Sequence, residues 1–280
     1  MNEKYCIVVD STLIPSMDVT KIDHVYVQSL YVVEGQKSYR DFIDITPEDI
    51  YARLRAGATF QTSQPSAGDF AETYQSMIDK GYDNILVFTI SKILSGTMQS
   101  AVMAVEQFPD KNIKVIDTKI AAALCWEVIE DIIEFGKTAN SFDEVVKYSE
   151  TAFDGLEVIA YVGNIEYLKR GGRLSPANAM IANLLKIRPI LQLKSGDEIK
   201  AIDKTRSLQK ALEKVVELVV EKNPRRITIL TTDKENEELQ NKFIPLVKAA
   251  FPNLSFSSYV LCPAVGVHIG PEICAIMYQV

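Results

Sequence analysis

Short apolar runs alternate along this chain with longer stretches in which apolar residues recur every three or four positions, the mark of strands interleaved with amphipathic helices. "YCIVV" (5–9) is a continuous apolar run and predicts a buried strand ending at Asp10-Ser11-Thr12. "HVYVQSLYVV" (24–33) predicts a second strand-like region. Thr46-Pro47-Glu48-Asp49 combines a capping hydroxyl, a proline in the first turn and early acids, and starts a helix that runs to about Gly57. "TFQTSQPS" (59–66) reads as a loop, after which Ser66, with Asp69 three residues on, caps a helix ending near Gly81. The strand "NILVFTI" (84–90), a Ser95-Gly96-Thr97 turn, a helix to about Phe108, the strand "IKVID" (113–117) and a helix over 120–136 follow. Ser141 with Glu144 opens another helix that ends near Gly155. Strands alternating with helices predict right-handed crossovers and a parallel sheet.

Beyond Gly155 the pattern changes. "LEVIAYV" (156–162) reads as a strand and "NIEYLKRGG" (164–172) as a short helix stopped by two glycines. After another short helix, "IRPILQL" and "EIKAI" form a hairpin through the turn signal "KSGD". A long helix (206–222), the strand "RITILTT", a helix (234–250) and the strands "SFSSYVL" and "CAIMYQV" complete the chain. The expected fold class is α/β, with two α/β domains. Residues 1–157 carry a mainly parallel sheet with flanking helices, and residues 158–280 a mixed sheet. No repeat or low-complexity linker separates them, so the halves are expected to pack closely, with a ligand site in the cleft between.

Composition narrows the function. The 280 residues are 47% hydrophobic and 24% charged, enough to bury a sizeable core. A net charge of −7 and a pI of about 5.1 argue against a nucleic-acid partner and against steady adsorption to an anionic membrane, leaving at most transient membrane contact. Cys6, Cys125, Cys262 and Cys274 form no C-x-x-C pair and read as buried thiols. The first residues already read as a strand, and the apolar stretches are short or broken by charge, so a cytoplasmic protein without a transmembrane helix is expected. Two histidines, His24 and His268, are too few for a histidine-rich metal site. No metal and no cofactor is expected.

The candidate chemistry lies in three segments rich in hydrogen-bond donors. No G-x-x-x-x-G-K-[ST], G-x-G-x-x-G or G-x-S-x-G occurs. Thr62 and Ser63 precede the Ser66 cap but are not explained by it. Ser95-Gly96-Thr97 stands at a strand-to-helix junction, where capping and anion binding are both open readings. His268, in "VGVHIGP" (265–271), sits between glycines and packs poorly in a core. Hydroxyls, amides and one imidazole without a lysine cradle suit a carboxylate. Asp10, at a strand's C-terminal end, has no second acid near it in sequence and reads as a turn-stabilising residue.

"YRDFIDITPEDIYARL", "TSQPS", "SKILSGTMQSA", "IEYLKRGGRLS", "KIRPIL" and "VGVHIGP" follow one another in the order and spacing of the DegV family. The chain resembles that family over essentially its whole length. The resemblance implies a bacterial fatty acid-binding protein that serves a fatty acid kinase in phospholipid metabolism, expected as a monomer. It implies two α/β domains with a long-chain fatty acid in a buried tunnel. It implies a carboxylate held by Thr62, Ser95 and His268, with Ser63, Gly96 and Thr97 in the same segments. It also implies that Arg170, with Arg173, lies on the surface that meets the kinase. The carrier does no chemistry alone; the kinase transfers phosphate from ATP to the bound carboxylate, giving an acyl phosphate.

Two departures from the family's pattern bear on the ligand. Leu124 and Trp126 occupy positions the family keeps small, where bulk would either narrow a tunnel or fill core, and a chain shorter or more curved than palmitate is expected. Glu272 stands where the family has glycine and would repel a carboxylate unless it faces outward. Two alternatives stay open at this point: a phosphotransferase or hydrolase acting through Asp10 or Ser95, and a regulatory protein with a vestigial lipid site.

Overall fold

The computed structural model describes residues 4–174, 187–232 and 236–280. The short helix expected after the Gly-Gly stop lies outside the described residues. The first half builds two sheets. Strands β1 (Tyr5–Asp10) and β2 (Val25–Gln28) pair in parallel, and β3 (Tyr31–Glu34) and β4 (Lys37–Arg40) form an antiparallel hairpin around Gly35, whose φ of +59° suits glycine. Helix α1 (Pro47–Arg55) begins at a reciprocal Thr46–Asp49 capping box, and α2 (Ala67–Asp79) at an equivalent Ser66–Asp69 box. Between them β5 (Gln61–Ser63) adds to β3, giving an antiparallel sheet of order β4-β3-β5. Strands β6 (Asn84–Thr89) and β7 (Asn112–Asp117), joined by α3 (Thr97–Val105), complete a parallel sheet of order β2-β1-β6-β7. Helices α4 (Leu124–Thr138) and α5 (Phe142–Ala152) follow.

The second half forms one mixed, six-stranded sheet, entered by β8 (Leu156–Val162). The boundary drawn at 157/158 falls inside this strand. Then come α6 (Glu166–Arg170), the expected hairpin β9 (Arg188–Lys194) and β10 (Lys200–Thr205), α7 (Leu208–Val220), β11 (Arg226–Thr231), α8 (Glu237–Ala250), β12 (Phe256–Val260), α9 (Pro263–Ile269) and β13 (Ile273–Gln279). The order is β10-β9-β8-β13-β11-β12, antiparallel throughout except β11 with β12. The fold is therefore α/β with a parallel sheet in one half and a mixed sheet in the other.

Three sequence expectations change. The region 24–33 is two strands in two sheets. It breaks at Ser29-Leu30, where Leu30 N–H donates to Ser11 Oγ (3.0 Å) and Leu30 carbonyl accepts from Asp41 N–H (2.8 Å). The helix expected from 120 starts at Leu124, because Lys119 and Ala122 adopt positive φ (61° and 90°) and Ala122 N–H donates to Thr12 carbonyl. Thr62 lies on a strand rather than in a loop, and "VGVHIGP" is helical up to Ile269. Cys262 stands at the start of that helix; all four cysteines are buried and form no disulfide.

The largest apolar cluster joins the two halves. It takes Ile7, Val9, Leu86 and Phe88 from the parallel sheet, Trp126 and Ile129 from α4, and Ala160, Val162, Ala275 and Met277 from the mixed sheet. Alternate residues of β8 face opposite ways, so Val158, Ala160 and Val162 look into this joint core. Ile159 and Tyr161 look toward a separate cluster that holds α7.

Candidate ligand-binding site

Strand alternation decides which part of "TSQPS" faces inward. Thr62 opposes Val32 on β3 and turns toward α9, whereas Gln61 and Ser63 are exposed. The Thr62 hydroxyl meets His268 Nε2 at 2.7 Å, across 206 positions of sequence. His268 rides in the last turn of α9, and three contacts fit it there. Gly171 leaves the imidazole its space: a Cβ at that position would overlap Nδ1. Tyr51 packs on Gly266 and donates its hydroxyl to Leu261 carbonyl (3.0 Å). Tyr167 packs on Gly270. Burial, with the Arg173 guanidinium nearby, pulls the His268 pKa down to about 4, so the ring is neutral at physiological pH.

Ser95 arrives from the opposite side, in the turn between β6 and α3. Its Oγ pairs with Thr97 Oγ1 (2.9 Å) and accepts from Thr97 N–H (3.3 Å), which anchors the first turn of α3. Gln64 ties this turn to the Thr62 strand: its amide donates to Ser100 Oγ (3.0 Å) and lies in the space Gly96 leaves open.

Behind these groups opens an apolar cavity of about 120 Å³. Its polar lining is Thr62, Ser95, Arg173 and His268, together with Thr12 and Gln192. Its walls come from Ala121 and Ala122, from Val158, Ala160 and Val162, from Leu191 and Leu193, and from Val265 and Ile269. The lining face of β8 extends roughly 13 Å at strand rise. Outside the same polar groups lies a wider vestibule that shares Thr62, Arg173 and His268 and adds Phe60, Tyr167 and Arg170. The polar groups thus stand between an alkyl-walled cavity and a larger, arginine-bearing vestibule.

The structure brings together Thr62, Ser95 and His268. It does not bring Ser63, Gly96 or Thr97 to the cavity wall: Ser63 faces outward and donates to Gln64 carbonyl, Gly96 backs Gln64, and Thr97 is buried against Ser95. Arg170 is exposed over the Tyr167 ring (5.0 Å) in the vestibule. Arg173, expected at a partner surface, also lines the cavity, with Nε donating to Leu94 carbonyl (3.0 Å). Leu124 and Trp126 fill the joint core and do not line the cavity. Glu272 faces away from it, accepting from Tyr161 hydroxyl (2.5 Å) and lying 3.6 Å from Arg188.

Asp10 is fully engaged. Thr12 N–H and hydroxyl donate to one oxygen and Ile90 N–H to the other (2.6 Å); burial raises its pKa to about 6. A second acid does lie near it, which sequence distance concealed: Asp41 is buried beside Ser11, and its pKa is pushed up to about 7 by burial. Ser95 is paired with Thr97 rather than with His268, so no nucleophile–base pair is formed here.

A family model described as "uncharacterised protein, DegV family" matches residues 4–280. The "fatty acid-binding protein" of Thermotoga maritima is 31% identical, covering 96% of this chain and 95% of its own. A DegV domain-containing protein of Clostridium acetobutylicum is 28% identical, covering 98% of each. Among solved structures, a DegV family protein of Thermus thermophilus described for its fatty acid binding superposes with a TM-score of 0.84 at 30% identity, covering 99% of this chain and 100% of that one.

Proposed function

Because the chain belongs to the DegV family, we propose that it holds a long-chain fatty acid in the alkyl-walled cavity and presents the carboxylate at the polar groups to a fatty acid kinase. The observation that carries this reading is the junction itself: a cavity with aliphatic walls ending on two hydroxyls, an imidazole and a guanidinium. A dry aliphatic cavity gains nothing from water and accepts hydrocarbon. Each methylene moved from water contributes about 0.8 kcal/mol, so about ten of them give ~8 kcal/mol before the cost of ordering the chain.

The head group contributes orientation. A buried carboxylate costs several kcal/mol unless donors surround it. With neutral His268 carrying its proton on Nε2, the ring would donate to Thr62 Oγ1 and leave the Thr62 hydroxyl free to donate to the carboxylate. Ser95 donates a second bond, and Arg173 supplies positive potential without leaving its hold on Leu94. In the kinase complex a carboxylate oxygen attacks the γ-phosphorus of ATP, the bond to ADP breaks, and an acyl phosphate forms. Arg170 and Arg173 at the vestibule are the cations this face offers the partner.

Chain length follows from the cavity's own walls, since Trp126 is not among them. The inward face of β8 offers only Val158, Ala160 and Val162 to the cavity, which supports a chain shorter or more curved than palmitate. Mass spectrometry of lipid extracted from purified protein tests both points. A short or kinked fatty acid is expected; straight stearate as the main species would overturn the length assignment, and absence of any fatty acid would overturn the carrier reading. Acyl phosphate formation with a fatty acid kinase, lost in Arg170→Ala, is expected for the partner step.

A further inference from the structure

Asp41 lies between β4 and α1 and is fully buried. Buried carboxyls normally sit against a cation or several donors. Here the donors come from segments far apart in sequence. Ser11 Oγ, just past β1, donates to Oδ2 (2.7 Å). Ala264 N–H, 223 positions away, donates to Oδ1 (3.2 Å).

These contacts complete the start of α9. The first N–H groups of a helix have no partner within it. Pro263 has none to satisfy, and the Cys262 side chain caps none of the others. Ala264 N–H remains, and no side chain of the adjacent sequence reaches it. Asp41 supplies the missing oxygen from the other half of the molecule. A seven-residue helix has little stability of its own, so its placement depends on what holds its ends. His268 stands at the far end of that helix. Tyr51 and Tyr167 press on its glycines from the side, whereas the carboxyl fixes its start.

We infer that Asp41 is a positioning residue for the carboxylate pocket: it caps α9 across the joint between the halves and thereby sets His268 Nε2 against Thr62 Oγ1. The same residue orders the opposite wall. Ser11, which donates to it, accepts from Leu30 N–H, and Leu30 and Thr12 both line the cavity. The inference deepens the fatty acid reading in its affinity arm alone; its geometric arm is independent of any ligand.

The chain has two histidines, so in a His24→Asn background isotope-labelled histidine NMR reports His268 alone. Asp41→Ala is expected to shift the His268 ring-nitrogen signals and to weaken binding of a fluorescent long-chain fatty acid on the order of tenfold, the worth of one strong helix cap. Asp41→Asn keeps an oxygen for Ala264 and is expected to retain wild-type signals and affinity. Unchanged His268 signals in Asp41→Ala, with only a lowered melting temperature, would reduce Asp41 to a stability residue and overturn the inference. So would Asp41→Asn behaving like Asp41→Ala. If Asp41→Ala does not fold, Ser11→Ala decides: it frees the carboxyl to rotate, so shifted His268 signals support the inference and unchanged ones overturn it. Wild-type protein that binds no fatty acid would sink the carrier reading, while the NMR comparison would still decide the role of Asp41.

Discussion

Gly171 and Gly172 are neighbours kept for different reasons. Gly172 has a φ of +68° and open space around its Cα, so it is glycine for the turn. Gly171 has an ordinary helical φ of −74° and is glycine for room, because His268 Nδ1 occupies the place of a Cβ. A stop signal after a helix was legible in the sequence; the second reason was not, since it depends on a residue almost a hundred positions later. The two alanine substitutions separate them. Gly171→Ala is expected to displace the imidazole and weaken fatty acid binding by tenfold or more, about the 1.4 kcal/mol that a lost pocket contact is worth. Gly172→Ala is expected to lower the melting temperature with affinity nearly intact, at about 1 kcal/mol of backbone strain. Equal affinities for the two variants, measured by fluorescent fatty acid titration, would remove Gly171 from the pocket's construction. The capping boxes at Thr46 and Ser66 show the opposite case: both partners lie within four residues, and the sequence reading identified them unaided.

Among the elements, the long periodic helices and the apolar strands were legible, and the short site-bearing pieces were not. α9 contains Gly266 and two valines in seven residues, a poor helix by propensity. It is helical because Pro263 and a distant carboxyl relieve its first turn and because its glycines admit Tyr51 and, just beyond its end, Tyr167. β5 is three residues long and exists by pairing with β3, which local pattern does not reveal. The link between β5 and α3 is equally tertiary. Gln64→Ala removes one hydrogen bond and the packing on Gly96, worth about 1 kcal/mol. The expected result is a few-fold loss of fatty acid affinity together with faster amide exchange over 96–100, read by hydrogen-exchange mass spectrometry. Unchanged exchange there would mean that α3 is held without it.

At the scale of the whole molecule, stability carries two opposed pH dependences. Asp41 and Asp10 have folded pKa values raised to about 7 and about 6, above the ordinary carboxylate range near 4. Their contribution is therefore fully present below about pH 4 and is lost as pH rises through 6 to 7. His268, lowered to about 4 from its usual value near 6.5, contributes stability that is lost as pH falls through that same interval. Asp41→Asn removes only the first effect from its site. Its stability relative to the native chain is expected to rise between pH 4 and 8 by up to a few kcal/mol, measured by urea unfolding. A flat difference over that interval would show that burial does not perturb Asp41. The two-halved α/β plan was visible from strand and helix alternation, but the shared core was not, because no sequence pattern says which faces of two sheets will meet. That shared core has a further consequence. The hollow lies within the apolar cluster that joins the halves, so cargo would serve as interior packing. On the proposed reading, a chain without cargo would be an incompletely filled fold, and the supply of acyl chains would then govern how long each copy survives.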